Sequence, residues 1–228
     1  MAISLEKGKK VSLKKGSQSG LGEILINLNW NTKPAKKGLF GVFGGGQGID
    51  LDLGCLFELK DGQKGAVQAL GNAFGSLQHL PFIALDGDDR TGAVTTGENL
   101  RIDGNKIALF KRILVYTFIY EGVANWQQAD AVVTIKYPGA EDLIIKMDSY
   151  NSNDVMCGLA LLENVNDETF SVEKIVQFYP GHQALLIINS LPAGTLLNLP
   201  GLVNAGHDGM PGFFQRLNLD GAAGGQTG

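Results

Sequence analysis

Residues 85–92 read Leu85-Asp86-Gly87-Asp88-Asp89-Arg90-Thr91-Gly92, placing three carboxylates within four residues directly behind the apolar run 82–85. Carboxylates this crowded repel one another, so a folded cluster needs a cation or an arginine beside it. A second acidic pair, Asp50 and Asp52, lies inside the apolar run 49–57, where strand alternation puts both side chains on one face. Glu98 and Asn99, beyond the glycine-bearing stretch 92–97, bring two more oxygen donors within reach of the same loop. Carboxylates, amides and loop carbonyls are hard ligands of the kind Ca²⁺ accepts about six to eight at a time, whereas Mg²⁺ demands a tighter octahedron and softer metals prefer Cys or His. The same residues are equally consistent with a solvated Asp-Gly-Asp turn whose charge is offset by Arg90.

Other metal and nucleotide chemistries fit poorly. As an EF-hand loop starting at Asp86, the segment would carry Arg90 at the fifth place, Thr91 where the glycine belongs and Gly97 where the terminal glutamate belongs. Gly46-Gln47-Gly48 begins like a dinucleotide fingerprint, but Leu51 takes the third glycine position and the turn feeds a strand. There is no Walker loop, and His79, His182 and His207 lack zinc-ligand spacing. No nucleophile-elbow pattern supports a Ser-His-Asp enzyme.

The elements that must position these acids are strands. Glycine contributes 32 of 228 residues, and Val/Ile/Phe-rich runs outnumber helix-periodic ones. That composition predicts an all-β, mainly antiparallel, two-sheet β-sandwich with glycine-rich loops. Strands are expected at 3–5, 11–13, 23–30, 49–57, 65–70, 82–85, 113–120, 131–137, 143–147, 156–165 and 170–179, with reversals at Asp61-Gly62 and Pro138-Gly139. Residues 24, 26, 28 and 30 are apolar against Asn27 and Asn29, the signature of a half-buried strand.

Net charge is −4, from 19 Lys and Arg against 23 Asp and Glu, and the basic residues are scattered, which argues against nucleic acid as a partner. The amino-terminal lysines, Lys7, Lys9, Lys10, Lys14 and Lys15, read as the solvated face of an edge hairpin. Cys55 and Cys157 sit in apolar surroundings as reduced, buried thiols. With no secretory-type leader and no apolar run of about 20 residues, the expected location is the cytoplasm, without a transmembrane segment. The loop 39–48 carries Phe40 and Phe43 among glycines and is a candidate partner-binding flap. Residues 183–199 form a final apolar segment packing on or extending the domain, and 200–228 a glycine-rich tail expected to lack order.

An ordered string of motifs then resembles a known family. Residues 68–75 (Gln-Ala-Leu-Gly-Asn-Ala-Phe-Gly), 86–92, 97–100 (Gly-Glu-Asn-Leu), 112–115 (Arg-Ile-Leu-Val), 118–122 (Phe-Ile-Tyr-Glu-Gly) and 160–164 (Ala-Leu-Leu-Glu-Asn) are similar to the TerD-domain tellurite-resistance and stress-response family, in particular its TerA-like branch. The resemblance covers residues 1–182 and implies a calcium-binding β-sandwich acting with other proteins of a tellurite-resistance or stress complex near a membrane partner. Position by position it implies Asp50 and Asp52 for the family's acidic strand, and Gly87, Asp88, Asp89, Thr91 and Gly92 for its loop. Residues 93–99 carry fewer acids than the acid-rich branch, which implies weaker calcium binding and puts a second site in doubt.

The combined expectation is a non-enzymatic calcium-binding interaction module, with Asp50, Asp52, Asp88 and Asp89 as ligands completed by Glu98 and Asn99. Its rivals are an enzyme on a tellurite-derived or phosphate-bearing substrate using paired carboxylates, and a metal-independent assembly module working through Phe40 and Phe43.

Overall fold

A computed structural model describes residues 2–13, 20–31, 49–87, 97–121, 126–147, 153–182 and 185. In chain order the strands are β1 (Ala2–Ser4), β2 (Lys10–Ser12), β3 (Glu23–Asn29), β4 (Asp50–Leu59), β5 (Lys64–Gln68), β6 (Gly75–Ser76), β7 (Ile83–Leu85), β8 (Glu98–Asp103), β9 (Phe110–Glu121), β10 (Val132–Lys136), β11 (Asp142–Lys146), β12 (Met156–Val165) and β13 (Thr169–Tyr179). They form a seven-stranded sheet ordered β1-β11-β10-β3-β8-β7-β6 and a six-stranded sheet ordered β2-β13-β12-β9-β4-β5. All pairings are antiparallel except β1 with β11. The all-β sandwich expected from the sequence is the observed architecture.

The half-buried pattern of β3 turns Ile24, Ile26 and Leu28 into the core, where they join Leu100 and Ile102 of β8 and Val133 and Ile135 of β10. Across the gap, alternation on β4 supplies Leu51, Leu53, Cys55 and Phe57, and β9 supplies Ile113 and Val115. Both cysteines are buried thiols outside any disulfide, and burial pushes the Cys55 thiol up to about 12, so it is inert at neutral pH.

The amino-terminal lysines do more than line a solvated edge. Lys10 on β2 reaches Glu173 of β13 at 3.0 Å and Glu163 of β12 at 3.2 Å, while Lys7 donates to the Val176 carbonyl at 3.2 Å. They lace a short edge strand to the six-stranded sheet.

A second apolar cluster lies on the outer face of that sheet, formed by Leu56, Leu114, Tyr116, Phe118, Met156, Tyr179 and Leu185. Every residue of β4 is consequently buried. No helix among the described residues is long and apolar enough to cross a membrane.

Candidate functional site

Strand β4 is longer than its neighbour β5, and their pairing ends at Gly54↔Gln68. Residues 50–53 therefore run past the end of β5, bonded to β9 on one side. Asp50 and Asp52 sit on this projecting stretch, with 7% and 3% of their surfaces exposed. In the ladder Asp52 faces Phe118 and Asp50 faces Glu121. Directly opposed residues share a face, which sets Asp52 on the outer side of the sheet with Tyr116 and Phe118. Burial, followed by the charges of Cys55 and Asp52, holds the Tyr116 phenol well above its ordinary range.

Glu98 comes to the same edge from the other sheet. It opens β8, which alternates inward at Glu98, Leu100 and Ile102, and its Oε2 accepts the Leu53 N–H at 2.6 Å. A strand edge left open by the shortness of β5 is thus closed by a carboxylate that is only 2% exposed. Gly97 makes this placement possible. Its φ of +65° lies in the left-handed region, and a Cβ there would collide with the Leu28 carbonyl oxygen. Stretch 97–99, read from the sequence as flexible loop donors, is in fact the start of a strand. Its alternation sends the next side chain, Asn99, to the opposite face, where its Oδ1 accepts from Asn27 Nδ2 at 2.9 Å.

Asp86, the first acid of the cluster, is held by an ion pair. Its two carboxylate oxygens accept from Arg101 Nε at 2.6 and 2.8 Å, and Arg101 Nη1 donates to Glu23 Oε1 at 2.5 Å. These hydrogen bonds, from Asp86 first and Glu23 second, raise the Arg101 pKa further. One of the three crowded carboxylates is therefore held on the exposed face of the seven-stranded sheet by Arg101, an arginine from the next strand.

Asp88 and Asp89, together with Phe40 and Phe43, lie outside the described residues. Of the remaining candidate ligands, the structure brings Asp50, Asp52 and Glu98 to one end of β4 and turns Asn99 away. Among the described residues no group of three or more His, Cys, Asp or Glu side chains is close enough to hold a metal ion. The donor chemistry of Asp50 and Asp52 suits a hard cation, but a complete shell would have to draw on the 88–96 segment that ends one residue before Gly97. Glu121, opposite Asp50, is an acid that sequence reasoning passed over. Only the ladder register reveals it, because residues 50 and 121 are remote in sequence.

Fold and acids together define a two-sheet sandwich with carboxylates gathered where one strand overruns its neighbour. Residues 1–137 match the TerD domain family model. The chain is 39% identical over 184 residues to tellurium resistance protein TerA of Alcaligenes sp., covering 80% of this chain and 54% of that protein. It is 34% identical over 116 residues to stress response protein SCP2 of Bacillus subtilis (strain 168), covering 47% and 54% respectively. The chain spans about half the length of these two relatives. A crystal structure from Streptomyces coelicolor A3(2), SCO6318, titled a homologue of telluride resistance protein TerD, superposes with a TM-score of 0.51. It covers 76% of this chain and all of that one at 16% identity, a likeness of fold. The chain belongs to the TerD-domain family of tellurium resistance and stress response, and within it is TerA-like.

Proposed function

We propose that the protein is a calcium-binding, non-enzymatic interaction module of the tellurium-resistance type, working in the cytoplasm with other proteins of a resistance or stress complex. The observation that carries this reading is the pair Asp50 and Asp52, buried on the overrunning end of β4 with Glu121 and Phe118 as ladder neighbours. Carboxylate oxygens are the hard donors that calcium takes, and two buried ones two residues apart on one strand are placed to supply them together. Asp50 and Asp52 would hold the ion from the sheet, and Asp88 and Asp89 from the loop. Glu98, already bonded to the Leu53 amide, braces the edge against which the loop is drawn. When bound, calcium supplies charge neutralisation and a tie between loop and strand, so binding couples to local order.

The loop 39–48 enters β4 two residues before Asp50, and Phe40 and Phe43 are its apolar side chains. We assign them to partner contact, with the metal end of β4 fixing one root of that loop.

The test is a thermal melt of chelator-treated protein with and without millimolar Ca²⁺, repeated on Asp88→Ala. The expected result is a higher midpoint with Ca²⁺ in the parent and none in the variant, whose metal-free form is as stable as the parent's. A variant that loses stability without metal and ignores calcium would make the acidic loop a salt-bridged turn. Phe40→Ser/Phe43→Ser should weaken association, read by sedimentation, and leave calcium affinity unchanged.

A further inference from the structure

The six-stranded sheet carries apolar residues on its outer face as well as its inner one, and that face has a shape. Tyr116 stands in a ladder row between Gly54 of β4 and Gly158 of β12. A Cβ at Gly54 would stand 2.7 Å from the Tyr116 ring, so the glycine lets that ring lie across β4 and donate its hydroxyl hydrogen to Gln68 Oε1 on β5. On the other side, the dent at Gly158 is occupied by Tyr179 and by Leu185, whose Cδ1 lies 3.7 Å from where a Cβ would be. His182 sets its ring edgewise on Phe118 at 4.9 Å and on Tyr116 at 6.1 Å. The Leu185 N–H donates to the Gly181 carbonyl, one helical turn. The chain thus leaves β13, folds back over the outer face and seats two side chains on it.

The stretch of sequence beyond Leu185 matches this face in composition and length. Residues 183–206 contain no Asp, Glu, Lys or Arg, and 186–199 include Leu186, Ile187, Ile188, Leu191, Leu196, Leu197 and Leu199. The face runs over five strands from β13 to β5, roughly 19 Å at the usual strand spacing. The 14 residues 186–199 are long enough to cross it, since even at a helical rise they would reach about 21 Å and more when extended. Leu56 and Leu114, on the strands beyond β12, are as closed to solvent as the residues under Leu185. A single turn at 181–185 is too small to cover them all.

We propose that the outer face of the six-stranded sheet is the docking groove for the chain's own segment 186–199, with His182 and Leu185 as its anchored first turn. The uncharged segment gains an apolar bed, and the sheet gains a cover over a face that would otherwise be exposed.

Hydrogen–deuterium exchange of the full chain, read by mass spectrometry, tests this. Amides of 186–191 should exchange at least about a hundredfold more slowly than those of 215–228, and at a rate independent of protein concentration. Leu185→Asp, and separately Ile188→Asp within the segment itself, should each cut that protection at least tenfold while β3 and β10 keep theirs. Exchange of 186–191 as fast as 215–228 in the parent protein would overturn the proposal. So would protection that appears only as concentration rises, which would give the face to a second copy, or protection that neither variant changes.

Discussion

Strand β4 carries buried acids at both ends, and the two ends treat them differently. At the carboxy-terminal end, Glu58 faces Arg112 on one side of the ladder and Lys64 on the other. Arg112 Nε reaches Glu58 Oε2 at 2.7 Å, and Lys111 Nζ reaches Oε1 at 2.7 Å. Burial alone would push this carboxyl up, but the Lys111 and Arg112 hydrogen bonds and the Arg112 charge outweigh it and hold the pKa below its ordinary value. At the amino-terminal end Asp50 and Asp52 face Glu121 and Phe118. The fold has placed permanent cations in register with one buried carboxylate and an acid and an aromatic ring in register with the others. Glu58 is neutralised at all times by cations the fold itself supplies. On the proposed reading, Asp50 and Asp52 take up a removable ion instead.

This contrast can be broken or sharpened by experiment, and the largest effect is expected at the hinge of the acidic end. Gly97→Ala must abandon a left-handed backbone and clear the Leu28 carbonyl, and should cost about 3 kcal/mol or more in urea unfolding. Arg112→Met removes the buried guanidinium from Glu58, leaving Lys111 and the cross-strand Lys64, and should cost about 3 kcal/mol whether or not calcium is present. If calcium rescued that variant, the two ends of β4 would not be independent. At the other end, Asp52→Asn should leave the chelated protein within about 1 kcal/mol of the parent while abolishing stabilisation by Ca²⁺, which for the parent is about 2.7 kcal/mol at a hundredfold excess over Kd. The smallest effect is in acid. Because the folded pKa of Glu58 is depressed, its contribution is fully present above the ordinary value of 4.5 and fades as pH falls through the lower folded value. The unfolding midpoint of the chelated parent should therefore drop below pH 4.5 more steeply than that of Glu58→Gln.

Much of this arrangement was legible in the sequence because strand periodicity is local. Alternation at 24, 26, 28 and 30 located β3, and the apolar runs at 49–57, 113–120 and 156–165 located the strands at the centre of the six-stranded sheet. Strand β8 is absent from the sequence expectation although Leu100 and Ile102 alternate with Arg101 and Asp103, because Gly97, Glu98 and Asn99 before it look like loop donors. Without that strand, nothing in the sequence separates Glu98 from Asn99, which strand geometry turns to opposite faces. The outer apolar cluster was also hidden. A strand buried on both faces reads as a continuous run, and nothing local says that Tyr116 lies between two glycines of neighbouring strands. Arg101 as a partner of Asp86 likewise depends on a cross-strand register that spacing alone does not contain.

The central claim, that the acidic end of β4 is a calcium site, is tested most directly by calorimetric titration of chelator-treated protein with Ca²⁺ and, in parallel, with Mg²⁺. The account predicts saturable heat with Ca²⁺, weaker or no binding of the smaller ion, and loss of the Ca²⁺ signal in Asp52→Asn with the fold retained. An absence of saturable heat with Ca²⁺ at millimolar concentration, or an undiminished signal in Asp52→Asn, would contradict it.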